Sequence, residues 1–150
     1  MDKLKVGIAL CGSYCTYDEV LKVIKELCKT YDVTPIMSEN TYSTDTRFGR
    51  AEDFVRRVED ICGRTVIHTV KDAEPIGPKK LLDLMLVAPC TGNTLSKIAN
   101  GISDSAVTLA VKAHLRNERP VLHLQASSQA LLPLVPPLAV PAVPRSFSCR

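Results

Sequence analysis

Short apolar runs alternate along this chain with stretches whose apolar side chains recur at helical spacing. Residues 4–10 (LKVGIAL), 33–37 (VTPIM), 65–70 (TVIHTV), 84–88 (LMLVA) and 121–124 (VLHL) read as strands. Near-continuous apolar runs of this kind suit a parallel sheet covered on both faces. Between them, Val20, Val23, Ile24, Leu27 and Cys28 mark one helix face, and Phe54, Val55, Val58, Ile61 and Cys62 a second. Leu95, Ile98, Ala99 and Ile102 mark a third, and Ala106, Leu109, Ala110 and Ala113 a fourth. Strands alternating with helices predict an α/β, three-layer, Rossmann-like fold with a parallel sheet of about five strands. Right-handed crossovers give the order 3-2-1-4-5.

Local signals punctuate these elements. Thr16 with Glu19 has the form of a capping box, Gly63 is placed to end the second helix, and Ser103 or Asp104 is placed to begin the fourth. Pro75 and Pro78 oppose a helix between the third and fourth strands. Residues 42–50 form a polar stretch too long for a simple connection, predicted to be a mobile lid.

Candidate chemistry gathers at three strand ends. Gly12 and Ser13 follow the first strand, Ser38 to Thr41 the second, and Thr91, Gly92, Asn93 and Thr94 the fourth. Ligands of doubly wound sheets sit at carboxyl ends of strands, where loop amides and helix N-termini meet an anion. Thr91, Asn93 and Thr94 could instead do no more than cap the helix that follows. Neither the dinucleotide fingerprint G-x-G-x-x-G nor a nucleoside-triphosphate loop occurs. A lone His68 inside a strand run reads as structural. Arg47 offers a planar fork for a carboxylate, with a solvated surface arginine as the alternative.

Pro89, Asn93, Thr94, Lys97, Ala99, Asn100, Gly101 and Asp104 together resemble the signature of the flavin-binding family that includes the peptidyl-cysteine and phosphopantothenoylcysteine decarboxylases. The stretches T-D-T-R-F-G (residues 44–49) and K-D-A-E-P-I-G-P-K-K (residues 71–80) are similar to one branch, the dipicolinate synthase B subunits. This resemblance covers roughly residues 3–121. It implies FMN, with Gly12, Ser13, Ser38 and Thr41 at the phosphate end and Thr91, Gly92, Asn93 and Thr94 at the ring end. Arg47 and Asn93 would meet a small dicarboxylate substrate.

The implied reaction oxidises a dihydrodipicolinate-type intermediate to pyridine-2,6-dicarboxylate during sporulation. The implied partner is an A subunit that supplies NAD(P), and a homo-oligomer is expected. The decarboxylases of the family use a histidine in a helix just ahead of the central strand, where residues 74–79 hold none. An FMN-dependent decarboxylase and a non-catalytic, partner-stabilising flavin protein remain the alternatives.

Charge adds mainly exclusions. With 19 basic and 16 acidic side chains and no basic patch, the sequence gives no reason to expect nucleic acid. No leader pattern or long apolar run is present, so a cytoplasmic location is expected. Six scattered cysteines lack the spacing of a metal site, and none is expected. Five of the ten prolines fall between Pro133 and Pro144, and no acidic residue follows Glu118. Residues 1–125 are therefore expected to form the α/β domain. Residues 126–150 are expected to be a poorly ordered tail unlike the family's C-terminal portion, the product of a shifted frame or truncated gene.

Overall fold

The computed structural model describes residues 3–125. Among them, four parallel strands, β1 (Lys5–Leu10), β2 (Asp32–Met37), β3 (Leu84–Cys90) and β4 (Val121–Gln125), form one sheet in the order β2-β1-β3-β4. The helices that connect them are α1 (Tyr17–Thr30), α2 (Glu39–Ser43), α3 (Ala51–Cys62), α4 (Val70–Ala73), α5 (Gly92–Ala99) and α6 (Ala106–Arg116). The tail expected over residues 126–150 lies outside the described residues.

The α/β class and the order of these strands are as the pattern predicts. The difference is residues 65–70, which contribute a single residue, Ile67, bridged in parallel to Ile36. Ile67 N–H donates to the Pro35 carbonyl at 3.0 Å and its carbonyl accepts from Met37 N–H at 2.8 Å. Pairing stops there because Thr69 turns the chain into α4, its side chain accepting from the Asp72 amide at 3.1 Å. A cap at once β-branched and hydrogen-bonding shortens what composition alone reads as a strand.

Successive residues of a strand face opposite sides, and β1 divides the core accordingly. Ile8 and Leu10 meet α1 and α3 through Tyr17, Leu21, Ile24, Phe54, Val55 and Val58. Ala9 and Cys11 face the other way, towards Met85 and Val87 of β3 and towards Val107, Ala110 and Val111 of α6. β1 is buried from Val6 to Leu10, as a strand flanked on both edges and covered on both faces must be. The turn after α4 lies so close to α6 that a Cβ on Gly77 would stand 2.9 Å from Ala113 Cβ.

Several local expectations change. Thr16 is the N-cap of α1, but its hydroxyl donates to the Ser13 carbonyl at 2.9 Å and the predicted box with Glu19 does not form. The buried stripe of α1 runs through Tyr17, Leu21 and Ile24, leaving Val23 exposed. Ile102 is exposed as well, because α5 has ended before it. α6 starts from Ser105, not Ser103 or Asp104, and Ser105 exchanges two hydrogen bonds with Thr108 in a true capping box. Gly63 ends α3 at φ 64°, as predicted. Pro75 stops a regular helix, and the chain makes one 3-10 turn over Glu74–Ile76.

Candidate functional site

The three polar segments converge because β2, β1 and β3 are neighbours running the same way. Cys11 N–H donates to the Pro89 carbonyl at 3.3 Å, and Ser38 N–H to the Leu10 carbonyl at 3.1 Å. These bonds tie the three strand ends into one continuous edge. Gly12, Ser13, Ser38, Thr41, Thr91, Gly92, Asn93 and Thr94 all lie along it.

Their chemical situations differ. Ser38 is the N-cap of α2, and Thr91 the N-cap of α5, so the central segment does cap a helix, and that helix starts at the carboxyl end of β3. Gly92, Asn93 and Thr94 form the first turn of α5 instead of a free loop. Gly92 and Asn93 are exposed, Thr91 and Ser13 half-buried. Thr94 is buried, its amide donating to Thr91 Oγ1 at 3.2 Å and its own Oγ1 accepting from the Thr91 hydroxyl at 3.1 Å. Thr41 is 1% exposed, and its Oγ1 lies 2.8 Å from Ser38 Oγ and 3.3 Å from Tyr17 Oη. Thr41 and Thr94 therefore hold the backbone in shape, while Ser13, Ser38, Asn93 and the Gly12 and Gly92 amides are the groups able to reach a ligand.

Tyr17 joins these segments, and the apolar pattern of α1 contained the signal for it: Tyr17, Leu21 and Ile24 share a helical spacing. Its hydroxyl donates to the Cys11 carbonyl at 2.8 Å, and its ring stacks on Phe54 of α3 at 4.0 Å. Burial pushes the phenol well above its usual range, so it stays neutral and donating. Beneath the edge, Cys11 and Cys90 are buried thiols. Burial raises Cys11 and pushes Cys90 up to about 12. The floor is thus uncharged and carries no thiolate.

The lid expected over residues 42–50 is only partly a loop. Tyr42 and Ser43 belong to α2, and the Tyr42 ring stacks on His68 with centroids 3.6 Å apart and planes within 2°. Asp45 accepts from the Ala51 amide at 2.8 Å and so anchors the start of α3. Arg47 lies on the exposed turn between Thr46 and Gly49, its guanidinium 4.9 Å from the Phe48 ring centroid. A cavity of about 130 Å³ opens beside Thr41 between α1, α2 and α3. Tyr14, Phe48, Arg50 and Arg57 line it; Arg47 does not. His68 follows the Ile67 bridge, and its Nδ1 is buried without a hydrogen-bond partner.

The matched K-x-A-N-G-x-x-D stretch has a local structural role. α5 ends at Asn100, Gly101 takes φ 70°, and Lys97 Nζ meets Asp104 Oδ2 at 2.7 Å across the turn into α6. That pair bridges the last turn of α5 to the segment that leads into α6.

The donor set along the edge consists of amides, hydroxyls and one carboxamide over an uncharged floor. It fits the phosphate, ribityl and polar ring edge of a flavin nucleotide. Sheet and helices define an α/β, Rossmann-like fold with a polar edge at the carboxyl ends of its strands, and the chain belongs to the Flavoprotein family, whose model matches residues 1–133.

Within that family it is similar to the B subunit of dipicolinate synthase from Bacillus subtilis (strain 168), at 45% identity over 119 residues, 79% of this chain and 60% of that protein. The crystal structure of the corresponding B subunit from Bacillus halodurans C superposes with a TM-score of 0.70 at 40% identity, covering 82% of this chain and 65% of that one. The FMN-dependent cysteine decarboxylase SpaF shares the fold, with a TM-score of 0.63 at 23% identity, covering 81% of this chain and 67% of that one. The chain spans less than two thirds of the length of the dipicolinate synthase B subunits it matches. Among the described residues no helix is long and apolar enough to cross a membrane, and no cluster of three metal-ligating side chains occurs.

Proposed function

We propose that this chain is the flavin-binding part of a dipicolinate synthase B subunit. The observation that carries the reading is the single edge made by Ser13, Ser38 and the first turn of α5, in a chain similar to proteins of that name. FMN bound there would supply an acceptor for the two hydrogens removed when a dihydrodipicolinate-type ring becomes aromatic. Gly12 and Ser13 donate to the phosphate, where glycine permits close approach of the backbone. Ser38 joins them, oriented by Thr41. Asn93 offers both a donor and an acceptor to the ring edge or to substrate.

The dicarboxylate requires a cation, and Arg47 is the candidate. Its exposed turn has to swing towards the edge for that role. An A subunit supplies NAD(P), the B subunits associate with one another, and the assembly works in the cytoplasm of a sporulating cell.

Purified protein tests the cofactor directly: bound flavin absorbs in the visible, and added FMN raises the unfolding temperature. Neither effect appears if the edge does not hold FMN. Formation of pyridine-2,6-dicarboxylate with and without an A subunit then separates a catalytic chain from a partner-stabilising one.

A second reading, an FMN-dependent decarboxylase, has one observation in its favour. His68 stands next to the same edge with an unpartnered Nδ1. Carbon dioxide release from a cysteine-type carboxylate, abolished by His68→Ala, would select it over the oxidative reading.

A further inference from the structure

The cavity beside Thr41 has a chemistry that the flavin reading leaves unused. It measures about 130 Å³, and a void of roughly 150 Å³ is enough for a single six-membered ring. Aromatic side chains wall it. Tyr14 is held there by its hydroxyl, which donates to the Asn40 carbonyl of α2 at 3.2 Å. Phe48 rides on the turn between Thr46 and Gly49, its amide donating to Thr46 Oγ1 at 3.2 Å. Charge in the cavity is only partly spent. Arg57 and Asp18 pair with each other at 3.3 Å, and Asp45 of the adjoining loop accepts from the Ala51 amide at 2.8 Å. Arg50 and Asp53 line the cavity too, and among the described residues neither has an ion-pair partner or a side-chain hydrogen bond. They are the N-cap and N3 residues of α3, one turn apart. A free cation and a free carboxylate thus share one small, ring-walled space.

We infer that this cavity is a substrate subsite for a ring that carries a carboxylate beside a hydrogen-bearing nitrogen, with the carboxylate on Arg50 and the nitrogen on Asp53. The assignment rests on the flavin reading for its place in the reaction, since Thr41, which lines the cavity, has its Oγ1 2.8 Å from Ser38 Oγ at that edge. A guanidinium holds a carboxylate through two parallel N–H donors, whereas an ionised aspartate only accepts and so selects an N–H. A plain anion has no use for Asp53, which repels it. The dihydro ring of the proposed reaction has the matching pattern, its nitrogen lying between two carbons that each bear a carboxylate. Arg50 already lines the cavity, and Arg47, on the same turn, is left for the second carboxylate. With its nitrogen protonated such a ring carries one net negative charge, and Arg47, Arg50 and Asp53 together carry one net positive. Tyr14 and Phe48 offer their faces to the cationic nitrogen.

The test is calorimetric titration of the full chain, with and without added FMN, using two saturated probes. Piperidine-2,6-dicarboxylate keeps the ring nitrogen and carries it protonated; cyclohexane-1,3-dicarboxylate has carbon in its place. The parent protein is expected to bind the piperidine about tenfold more tightly. Asp53→Asn should remove that preference, and Arg50→Gln should weaken both probes about tenfold. Both side chains are exposed, so unfolding temperatures of the two variants should match the parent. Equal affinity for the two probes in the parent, or a preference that survives Asp53→Asn, overturns the nitrogen contact. Unchanged affinity in Arg50→Gln overturns the carboxylate contact. FMN retention, read by visible absorbance on the same samples, keeps the two readings apart. Protein that holds FMN but neither probe sinks the subsite alone, and protein that binds the piperidine through Arg50 and Asp53 without holding FMN keeps the subsite and loses the flavin reading.

Discussion

A single phenol hydroxyl holds two of the three ligand-edge segments together. Tyr17→Phe keeps the stack on Phe54 but removes one of the two donors to the Cys11 carbonyl, leaving it the Ser13 amide alone. The expected loss is about 1 kcal/mol in urea unfolding. Weaker FMN binding should accompany it, because Thr41 and Ser38 lose their support. Asn93→Ala makes the opposite test: Asn93 is exposed on the first turn of α5, so thermal stability should hardly change while FMN affinity falls roughly tenfold, read by fluorescence titration. At this scale the hydroxyl-rich strand ends are legible because small polar side chains after an apolar run have few other uses. The role of Tyr17 is not, since periodicity assigns a tyrosine to a face but does not say what its hydroxyl reaches. The stacking of His68 on Tyr42 joins residues far apart in sequence and leaves no local mark.

Helix starts decide where the ligand-facing amides point. Thr91→Ala removes the side chain that receives the Thr94 amide. It should cost about 1 kcal/mol in denaturant unfolding and lower FMN affinity as well, since the amide turn loses its shape. Thr91→Ser should restore both. Four of the five expected strands are legible because β-branched and aliphatic runs bounded by turns have few alternatives. The remaining one, over residues 65–70, is legible as a position in the order but not as a ladder. Nothing in TVIHTV announces that Thr69 will cap α4 instead of pairing. Helix caps are the least readable: Ser103, Asp104 and Ser105 are all good N-cap residues, and the ion pair of Asp104 with Lys97 leaves that place to Ser105.

For the molecule as a whole, pH acts through α6. His114 is 2% exposed, with Nε2 lacking a partner, and burial holds its pKa below the ordinary value. The Pro120 carbonyl and Asp83 act against this shift, and Arg119 adds to it. Above about pH 6.5 the folded and unfolded chains are both neutral here and His114 contributes no slope. As pH falls below that value the unfolded chain takes the proton first, so stability declines. Unfolding temperatures measured from neutral to mildly acidic pH should drop less steeply in His114→Gln than in the parent protein. The α/β class is legible in the alternation of runs, and the flavin family in a handful of spaced residues. The outer edge of β2 has a further consequence. Pro35 has no amide to offer and Ile67 already occupies the positions beside it, so this side of the sheet presents little template for a foreign strand. In a crowded cell that edge is expected to act as a built-in stop against fibrillar growth, and replacing Pro35 by Val to weaken the stop by restoring an amide donor beside the Ile67 bridge.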